Sequence, residues 1–363
     1  MLILLQFAHF AFLHLLQSVL LILVYPFTLL YCSKTRNQWK KSPISFVDWR
    51  GKLYLRGMEV VYRLVYGLLW LLSLLPMSVH YALSDLVLYP VVYHLVRYRR
   101  RLVAHQMADC FPERSAAELK HEERRFYHFL CDYMVETLAL MTMSRSEMKR
   151  RVTFEGFEAL QQEMVRRGKT LALAYLGHYG NWEWLASFSL WTIDGVGAAQ
   201  VYHPLHSSHT DRFFLRLRAR FGGESVPMKE TLRRLLTMQC QGQKTVVGFI
   251  ADQSPRWEAM HHWTQFLHHD TSFFIGAERI GQKTDALIFY VRVTRPRRGY
   301  YRCSVEPISW NPREEQEFAV TNRYATLLEE QIRQEPHLWL WTHNRWKRTK
   351  EEWERRTKDN FDL

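Results

Sequence analysis

The stretch KTLALAYLGHYGNWEW, residues 169 to 184, decides the fold of this sequence. Its first part, 169 to 177, is a continuous apolar run that ends in a turn residue, as a buried β-strand does. Gly177 and Gly180 allow a tight turn after this strand, and Asn181 is a favoured residue for the start of a helix. The stretch therefore predicts a strand, a tight turn and a helix in direct succession.

Strands and helices continue to alternate after this stretch. Two further apolar runs are typical of strands, and three amphipathic runs, two of them closed by glycine, are typical of helices. The strands are 196 to 203 and 245 to 253, and the helices are 211 to 223, 231 to 242 and about 312 to 335. Residues 286 to 308 predict two antiparallel strands joined by a turn with Pro and Gly. This order predicts an α/β fold with a mixed sheet, parallel at its centre and flanked by helices.

Composition and charge indicate which classes of molecule the protein binds. The formal net charge of +13 should attract anions such as nucleic acid, anionic lipid head groups or an acidic carrier protein. Phe, Trp and Tyr make up 14% of the residues, and aromatics combined with Lys and Arg are typical of a membrane interface, so membrane lipids are favoured as partners. The chain contains no recognisable nucleic-acid-binding motif, so we expect no nucleic-acid partner and keep a basic nucleic-acid-binding protein as the alternative.

Cysteine and histidine spacing gives no support for a metal site. The five cysteines are scattered without C-x-x-C spacing, which predicts reduced thiols in a cytosol-facing protein. His261 with His262 and His268 with His269 form pairs that suggest metal ligands, but no carboxylate or cysteine completes a recognisable spacing. We therefore predict that the protein binds no metal.

The amino-terminal segment predicts an anchor. Residues 2 to 32 contain no Lys, Arg, Asp or Glu and are long enough, at about 1.5 Å per residue, to span a bilayer core of about 30 Å. The basic cluster at 33 to 41 should stay cytoplasmic, which places the amino terminus outside and the body on the cytoplasmic face of the inner membrane. A cleaved signal peptide is the main alternative, but no basic region precedes the apolar run and no A-x-A-like site follows it.

A second apolar stretch, residues 65 to 96, is broken by Pro76, Asp85 and Pro90 and predicts helices that lie in the membrane interface. A buried helical hairpin is the alternative. From 113 to 143 the pattern becomes amphipathic and helical. The sequence predicts an anchor with a basic linker (1–57), interface helices (58–110), a catalytic domain (111–348) and a charged tail (349–363). In the alternative interpretation, residues 1–57 are an artefact of the choice of start site.

His178 and Glu183 are the candidate catalytic pair. On a continuous helix five residues turn the chain by about 500°, which leaves the two side chains about 140° apart. The turn at Gly177 and Gly180 allows the chain to fold back, so that the carboxylate can orient the imidazole and fix its tautomer. The alternative is that Glu183 only caps a helix and that His178 is a packed residue at the end of the strand.

The pair comes without a nucleophile. The sequence has no G-x-S-x-G motif and no cysteine near the pair. These residues therefore suggest a general base that activates a hydroxyl supplied by the substrate. A hydrolase that activates water with the same pair is the alternative.

GHYGNWEW, with its H-x-x-x-x-E core, resembles the first signature block of the lysophospholipid acyltransferase superfamily, and its flanks resemble the lipid A biosynthesis acyltransferase branch. Further matching blocks follow in the same order, so the resemblance covers residues 58 to 348. These blocks are VYHPLHSSHTDRFFLRLRARFGG (201 to 223), ADQSP (251 to 255), DTSFFIGAERIG (270 to 281) and LWLWTHNRWK (338 to 347). The resemblance implies a glycerolipid acyltransferase-like fold with membrane-associated amino-terminal helices.

The resemblance also implies the reaction. An acyl group moves from the thioester of acyl carrier protein or coenzyme A to a hydroxyl of a lipid A precursor or lysophospholipid, with no covalent acyl-enzyme and no cofactor. His178 would be the base and Glu183 its orienting acid, and backbone amides near Asn181 would stabilise the oxyanion.

Four further residues are implied as substrate contacts. Arg218 and Arg220 would face a phosphate of the acceptor, and Asp252 and Gln253 would face the ligand from the end of a strand. His203 departs from the branch, which often has Arg at this position. In the tail, we expect Arg345 and Lys347 to contact head groups, with a structural role as the alternative.

Overall fold

The computed structural model describes residues 62 to 361 of the chain, with side chains to Thr357. The predicted membrane span 2–32, the basic cluster 33–41 and the predicted anchor segment 1–57 lie outside the described residues. The chain divides into two compact units between Leu75 and Pro76. In the first unit the described structure is helix α1 (Tyr62–Ser73). In the second unit, residues 76 to 110 group with the remainder of the chain.

Helices precede the sheet in the second unit. They are α2 (Met77–Leu83), two π-helical segments (Ser84–Leu88 and Pro90–Leu95), α3 (Arg100–Cys110), α4 (Ala116–Ala139) and α5 (Arg145–Arg151). α4 begins at a capping box, in which Ser115 and Glu118 each accept a hydrogen bond from the other's backbone N–H. The helix predicted within 113 to 143 is confirmed.

No single helix among the described residues is both long and apolar enough to cross a membrane. α1 and the helical stretch Met77–Leu95 satisfy the criteria of length and composition only when the two are counted together.

The central sheet is mixed, with a parallel centre. Its strands are β1 (Val152–Glu155), β2 (Leu171–Leu176), β3 (Val196–Tyr202), β4 (Glu224–Pro227), β5 (Lys244–Ile250), β8 (Leu287–Arg297) and β9 (Tyr300–Ser309), while β6 (Trp263–Phe266) and β7 (His269–Ser272) form a separate hairpin. The strand order is β1-β9-β8-β2-β5-β3-β4. The strands from β8 to β4 are parallel to one another, and β9 is antiparallel to β8. This confirms the predicted sheet.

Helices alternate with these strands. They are α6 (Phe157–Arg166), α7 (Trp182–Leu185), α8 (Ser208–Ala219), α9 (Thr231–Cys240), α10 (Gly276–Thr284), α11 (Ala319–Gln334) and α12 (Lys350–Phe361). The predicted helices at 211 to 223 and 231 to 242 are confirmed as α8 and α9. The predicted long helix begins later than expected, because Phe318 has a φ of +66° and this left-handed residue prevents a helix from running through it.

The central strands are buried because they are apolar on both faces. Leu171, Ala172 and Leu173 of β2 have no exposed surface, and β5 and β8 flank this strand on its two sides. Parallel strands covered by helices bury both of their faces, which accounts for the uninterrupted apolar run. The polar residues that follow β2 and β5 lie at the carboxyl edge of the sheet.

Candidate active site

His178 and Asp252 lie opposite each other at the carboxyl edge of the sheet. The parallel register of β2 and β5 pairs Leu176 with Ile250. Two residues further along, the same register brings His178 level with Asp252. Open α/β sheets bind ligands outside the carboxyl ends of their strands, so this pair occupies the expected position of a site.

Asp252 holds the imidazole of His178. The distance from His178 Nδ1 to Asp252 Oδ1 is 2.6 Å, and the backbone N–H of His178 donates to Asp252 Oδ2 at 2.8 Å. Burial alone would raise the pKa of Asp252, but attraction to His178 and the donated hydrogen bonds lower it to about 2. The ionised carboxylate accepts the proton on Nδ1, so the lone pair of the neutral ring lies on Nε2.

The Nε2 atom of the ring meets the amide of Gln253. The distance between Gln253 Nε2 and His178 Nε2 is 3.1 Å, and the amide N–H donates to the lone pair. The side chain of His178 is 19% exposed whereas that of Asp252 is 2% exposed, so a substrate can approach the imidazole but not its acid. A hydroxyl that displaces the Gln253 amide would meet an unprotonated nitrogen.

A segment from the last part of the described chain completes this arrangement. Trp339 Nε1 donates to Asp252 Oδ2 at 2.8 Å. The backbone N–H of Leu340 donates to the carbonyl of His178 at 3.1 Å, and Tyr179 and Trp339 form an antiparallel bridge. The segment therefore fixes both the carboxylate and the backbone of the residue that carries the imidazole.

Glu183 pairs with Arg218 of α8. Arg218 Nη2 donates to Glu183 Oε1 at 2.6 Å, and Arg218 Nε donates to Glu183 Oε2 at 2.9 Å. Burial alone would lower the pKa of Arg218, but attraction to Glu183 raises it. The predicted contact between Glu183 and the imidazole is corrected, because the carboxylate on the ring belongs to Asp252. Glu183 lies in the first turn of α7, where its carboxylate meets the guanidinium of α8.

The predicted phosphate contacts of Arg218 and Arg220 stay predictions, and both guanidinium groups have partners within the protein. Arg218 forms the bidentate pair with Glu183. Arg220 donates from Nη1 to the carbonyl of Met141 at 2.5 Å and from Nη2 to the carbonyl of Met143 at 2.6 Å. These carbonyls follow α4, so the guanidinium of Arg220 joins the ends of two helices.

Asn181 holds the turn between β2 and α7. Its side chain is fully buried, and Oδ1 accepts from the backbone N–H of Trp184 at 3.1 Å, which confirms the predicted helix start. Its Nδ2 donates to Glu136 Oε2 at 2.8 Å. The side chain thus has a structural role, and the oxyanion role of the nearby backbone amides stays a prediction.

Glu136 of α4 supports this turn and was missed by the sequence prediction. Besides the Asn181 amide, its Oε2 accepts from the hydroxyl of Tyr301 at 2.8 Å, and its Oε1 accepts from the hydroxyl of Tyr81 at 3.0 Å. Burial raises the pKa of Glu136. Other acidic residues of α4 follow the same amphipathic pattern, so no signal in the sequence distinguishes Glu136 from them.

His343 links the last segment to the residues after β5. Its Nε2 accepts a hydrogen bond from the backbone N–H of Ser254 at 3.1 Å. Burial, followed by repulsion from Lys347 and Arg345, lowers the pKa of His343 well below 6.5. The folded protein therefore keeps this imidazole neutral over a pH range in which an unfolded histidine takes up a proton.

This difference predicts an acid-dependent loss of stability that His343→Gln removes. Below pH 6.5 the unfolded state binds more protons than the folded state at this position, so the free energy of unfolding falls as the pH falls. One histidine contributes at most about 1.4 kcal/mol per pH unit. Gln can still accept from Ser254 but does not titrate. The measurement is urea unfolding at pH values from 5 to 7, chosen as round values on both sides of pH 6.5. The free energy of unfolding should change less steeply with pH in His343→Gln than in the wild type, and equal slopes would contradict the assignment.

The paired histidines do not form a metal centre in the described part of the chain. His262 Nε2 lies 2.7 Å from Asn322 Oδ1, and His268 Nε2 lies 3.3 Å from Arg333 Nη2. His269 packs against the ring of Trp346. Within residues 62 to 361, no group of three His, Cys, Asp or Glu side chains is placed to hold a metal ion.

The fold and the site together define an α/β protein whose parallel sheet presents a carboxylate-supported histidine at its carboxyl edge. A model of the bacterial lipid A biosynthesis acyltransferase family matches residues 52–348. The chain belongs to this family, and the resemblance identified over residues 58 to 348 is confirmed. The protein is therefore an acyltransferase of the lipid A type. No curated protein matches the chain.

Proposed function

We propose that the protein transfers a fatty acyl group from an acyl thioester to a hydroxyl of a lipid acceptor. Acyl carrier protein or coenzyme A carries the donor, and the acceptor is a lipid A precursor or a lysophospholipid. The observation that carries this proposal is the imidazole of His178, whose Nδ1 is held by Asp252 and whose Nε2 contacts an amide that a substrate hydroxyl can displace. Membership of the lipid A acyltransferase family supports it.

His178 acts as the general base. Its Nε2 takes the proton from the acceptor hydroxyl while the hydroxyl oxygen attacks the carbonyl carbon of the thioester. The tetrahedral intermediate then expels the thiolate, which takes the proton back from Nε2. Asp252 stabilises the imidazolium between these two transfers. The acyl group passes directly to the acceptor, so no covalent acyl-enzyme is needed.

The acceptor reaches the site from the membrane. The side chains of Leu86 and Leu95 are 76% and 78% exposed, and the neighbouring Val87 and Val96 are also exposed. Contiguous exposed apolar side chains mark surfaces that contact a membrane or a protein. In this proposal they contact the cytoplasmic face of the inner membrane, and acyl carrier protein approaches from the cytoplasm.

Replacing His178 tests the proposal. His178→Ala removes the base, and we expect the rate of acyl transfer to fall by about 10²- to 10⁴-fold, since this is the usual contribution of general base catalysis. The measurement is transfer of a radiolabelled acyl group from acyl carrier protein to lipid in membranes that contain the full chain. Membrane association should be unchanged. His121→Ala, at an exposed histidine of α4, is the matched control and should keep full activity.

Two outcomes would overturn the proposal. Full activity of His178→Ala would exclude the imidazole as the base. Release of the thiol at the same rate with and without a lipid acceptor would show that water is the acceptor, and the protein would then be a hydrolase.

A further inference from the structure

Three half-buried cations gather beside the candidate active site without a carboxylate partner. Arg99 precedes α3, while Lys347 and Arg348 follow the segment that carries Trp339. Arg99 Nη1 donates to the carbonyl of Thr342 at 2.7 Å, which brings the two parts of the chain together. We call Arg99, Lys347 and Arg348 the cation cluster.

Several partly buried arginines elsewhere in the described chain have a carboxylate partner. Arg218, Arg292 and Arg295 form ion pairs with Glu183, Glu306 and Asp132 respectively. By contrast, no carboxylate among the described residues lies within ion-pair distance of any member of the cation cluster. Arg345, which is buried in the same segment as Lys347, has a side chain that is paired, among the described residues, only with the carbonyl of Ser272. The Nε–H of Arg348 is buried and has no hydrogen-bond acceptor within that part of the chain. A buried donor without an acceptor is unfavourable unless a ligand binds it.

Burial and the neighbouring cations disfavour the charge on Lys347. Burial lowers the pKa of Lys347 to about 8, and repulsion from Arg348, Arg345 and Arg99 contributes to the shift. Burial also lowers the pKa of Arg348, where attraction to Glu258 is outweighed. An anion bound between these side chains would remove the repulsion, so the cluster favours an anionic ligand.

The cation cluster is connected to the catalytic residues through Ser254. Arg348 Nη1 lies 3.4 Å from Ser254 Oγ, and the backbone N–H of Ser254 contacts His343. Ser254 follows Gln253, which contacts the imidazole of His178. An anion in the cluster would therefore belong to a molecule that also reaches the catalytic base.

We propose that Arg99, Lys347 and Arg348 bind the phosphate of a substrate. The phosphate is either that of the pantetheine arm of the acyl donor or that of a phosphorylated lipid acceptor. Guanidinium and ammonium groups bind phosphate through charge-assisted hydrogen bonds, and two elements of the chain supply them here. The inference rests on the proposed function, since it assigns the phosphate to a substrate of acyl transfer.

Direct binding tests this proposal without turnover. The probes are coenzyme A against pantetheine for the donor, and lysophosphatidic acid against monoacylglycerol for the acceptor. Each probe is titrated against the full chain in detergent. The protein carries His178→Ala to prevent turnover, either as the single variant or together with Lys347→Gln or Arg348→Gln. Each removed cation should weaken binding of one phosphate-bearing probe by about tenfold or more, since a charge-assisted hydrogen bond is lost. Binding of the matching probe without phosphate should not change.

Lys283→Gln is the matched control. Lys283 is an exposed lysine near the end of α10, just before β8 begins, and therefore at the opposite edge of the sheet. The Lys283→Gln substitution should leave the affinities for all four probes unchanged. A loss confined to coenzyme A assigns the phosphate to the donor, and a loss confined to lysophosphatidic acid assigns it to the acceptor.

The pH dependence gives a second measurement, in which the charge of Lys347 is removed by titration and not by substitution. The charged groups that act on Lys347 are Arg345 and Arg348 of its own segment and Arg99 before α3. Because the pKa of Lys347 is about 8, affinity for the phosphate-bearing probe should fall as the pH rises above this value. Lys347→Arg should keep its affinity over the same range.

The proposal is overturned if neither phosphate-bearing probe binds more weakly to Lys347→Gln or Arg348→Gln, or if the probes without phosphate lose as much affinity. Absence of acyl transfer with intact phosphate-dependent binding would refute the proposed function alone. Active transfer without phosphate-dependent binding would refute the cation cluster alone.

Discussion

Asp252→Asn should reduce acyl transfer by about 10²- to 10⁴-fold, close to the loss expected for removal of the base itself. Three donors point at this carboxylate, namely Nδ1 and the backbone N–H of His178 and Nε1 of Trp339. An Asn side chain has one acceptor oxygen and one N–H₂ group that only donates, so it must turn its N–H₂ towards at least one of these groups. The amide oxygen of the introduced Asn would take the place of Oδ2 and accept from the backbone N–H of His178 and from Trp339 Nε1. The N–H₂ group then faces Nδ1 of the ring, so the ring proton moves to Nε2.

The position of the ring proton also predicts the pH profile of Asp252→Asn. A ring that carries its proton on Nε2 cannot accept a proton from the acceptor hydroxyl at any pH at which the ring is neutral. The rate should therefore stay low from pH 7 to pH 9, chosen as round values above about 6.5, the ordinary pKa of a histidine side chain. Asp285→Asn is the matched control, because Asp285 pairs with Lys169 before β8 and has a left-handed backbone that Asn adopts readily. More than a tenth of wild-type activity in Asp252→Asn would refute the role of Asp252.

Arg218→Met should lower the free energy of unfolding by about 3 to 5 kcal/mol, because it removes the guanidinium that neutralises the buried carboxylate of Glu183. The side chain of Glu183 is 1% exposed and that of Arg218 is 20% exposed. The double variant Glu183→Met with Arg218→Met should lose less than Arg218→Met alone, since it leaves no unpaired charge. Urea unfolding of the purified full chain measures these differences.

Arg234 and Glu224 provide the control for this prediction. Arg234 Nε and Nη2 contact the two oxygens of Glu224 at 2.6 and 2.9 Å, which is the same bidentate geometry. Their side chains are 34% and 42% exposed, so the solvent screens the pair. Arg234→Met should therefore cost less than about 1 kcal/mol. Equal losses for Arg218→Met and Arg234→Met would show that burial does not govern the Glu183 pair.

The sheet could be predicted from the sequence because its strands are unambiguous. The apolar runs at 169 to 177 and 245 to 253 match β2 and β5 to within a few residues at each end, and the predicted antiparallel strands at 286 to 308 match β8 and β9 in the same way. The short strands β1 and β4 were missed, since four residues are too few to show a period. The late start of α11 depends on the backbone conformation of Phe318, which amphipathic periodicity does not report.

The candidate site was predicted only in part, because contacts between distant segments decide it. His178 and Asp252 were both singled out at strand ends, but the spacing of His178 and Glu183 pointed to the wrong carboxylate. The register of β2 and β5 gives the missing information: an offset that places Leu176 beside Ile250 also places His178 beside Asp252. That register is fixed by packing across the sheet, and no local pattern in the sequence records it.

The bridge between Tyr179 and Trp339 has a consequence for biosynthesis. Ribosomes synthesise a chain from its amino terminus, and domains begin to fold during synthesis. A nascent chain that ends before Trp339 already contains β2 and β5 but lacks the indole that donates to Asp252 and the backbone amide that holds His178. Translation therefore delivers the base before its supports, so the polypeptide acquires chemical competence only after Trp339 and Leu340 have been synthesised.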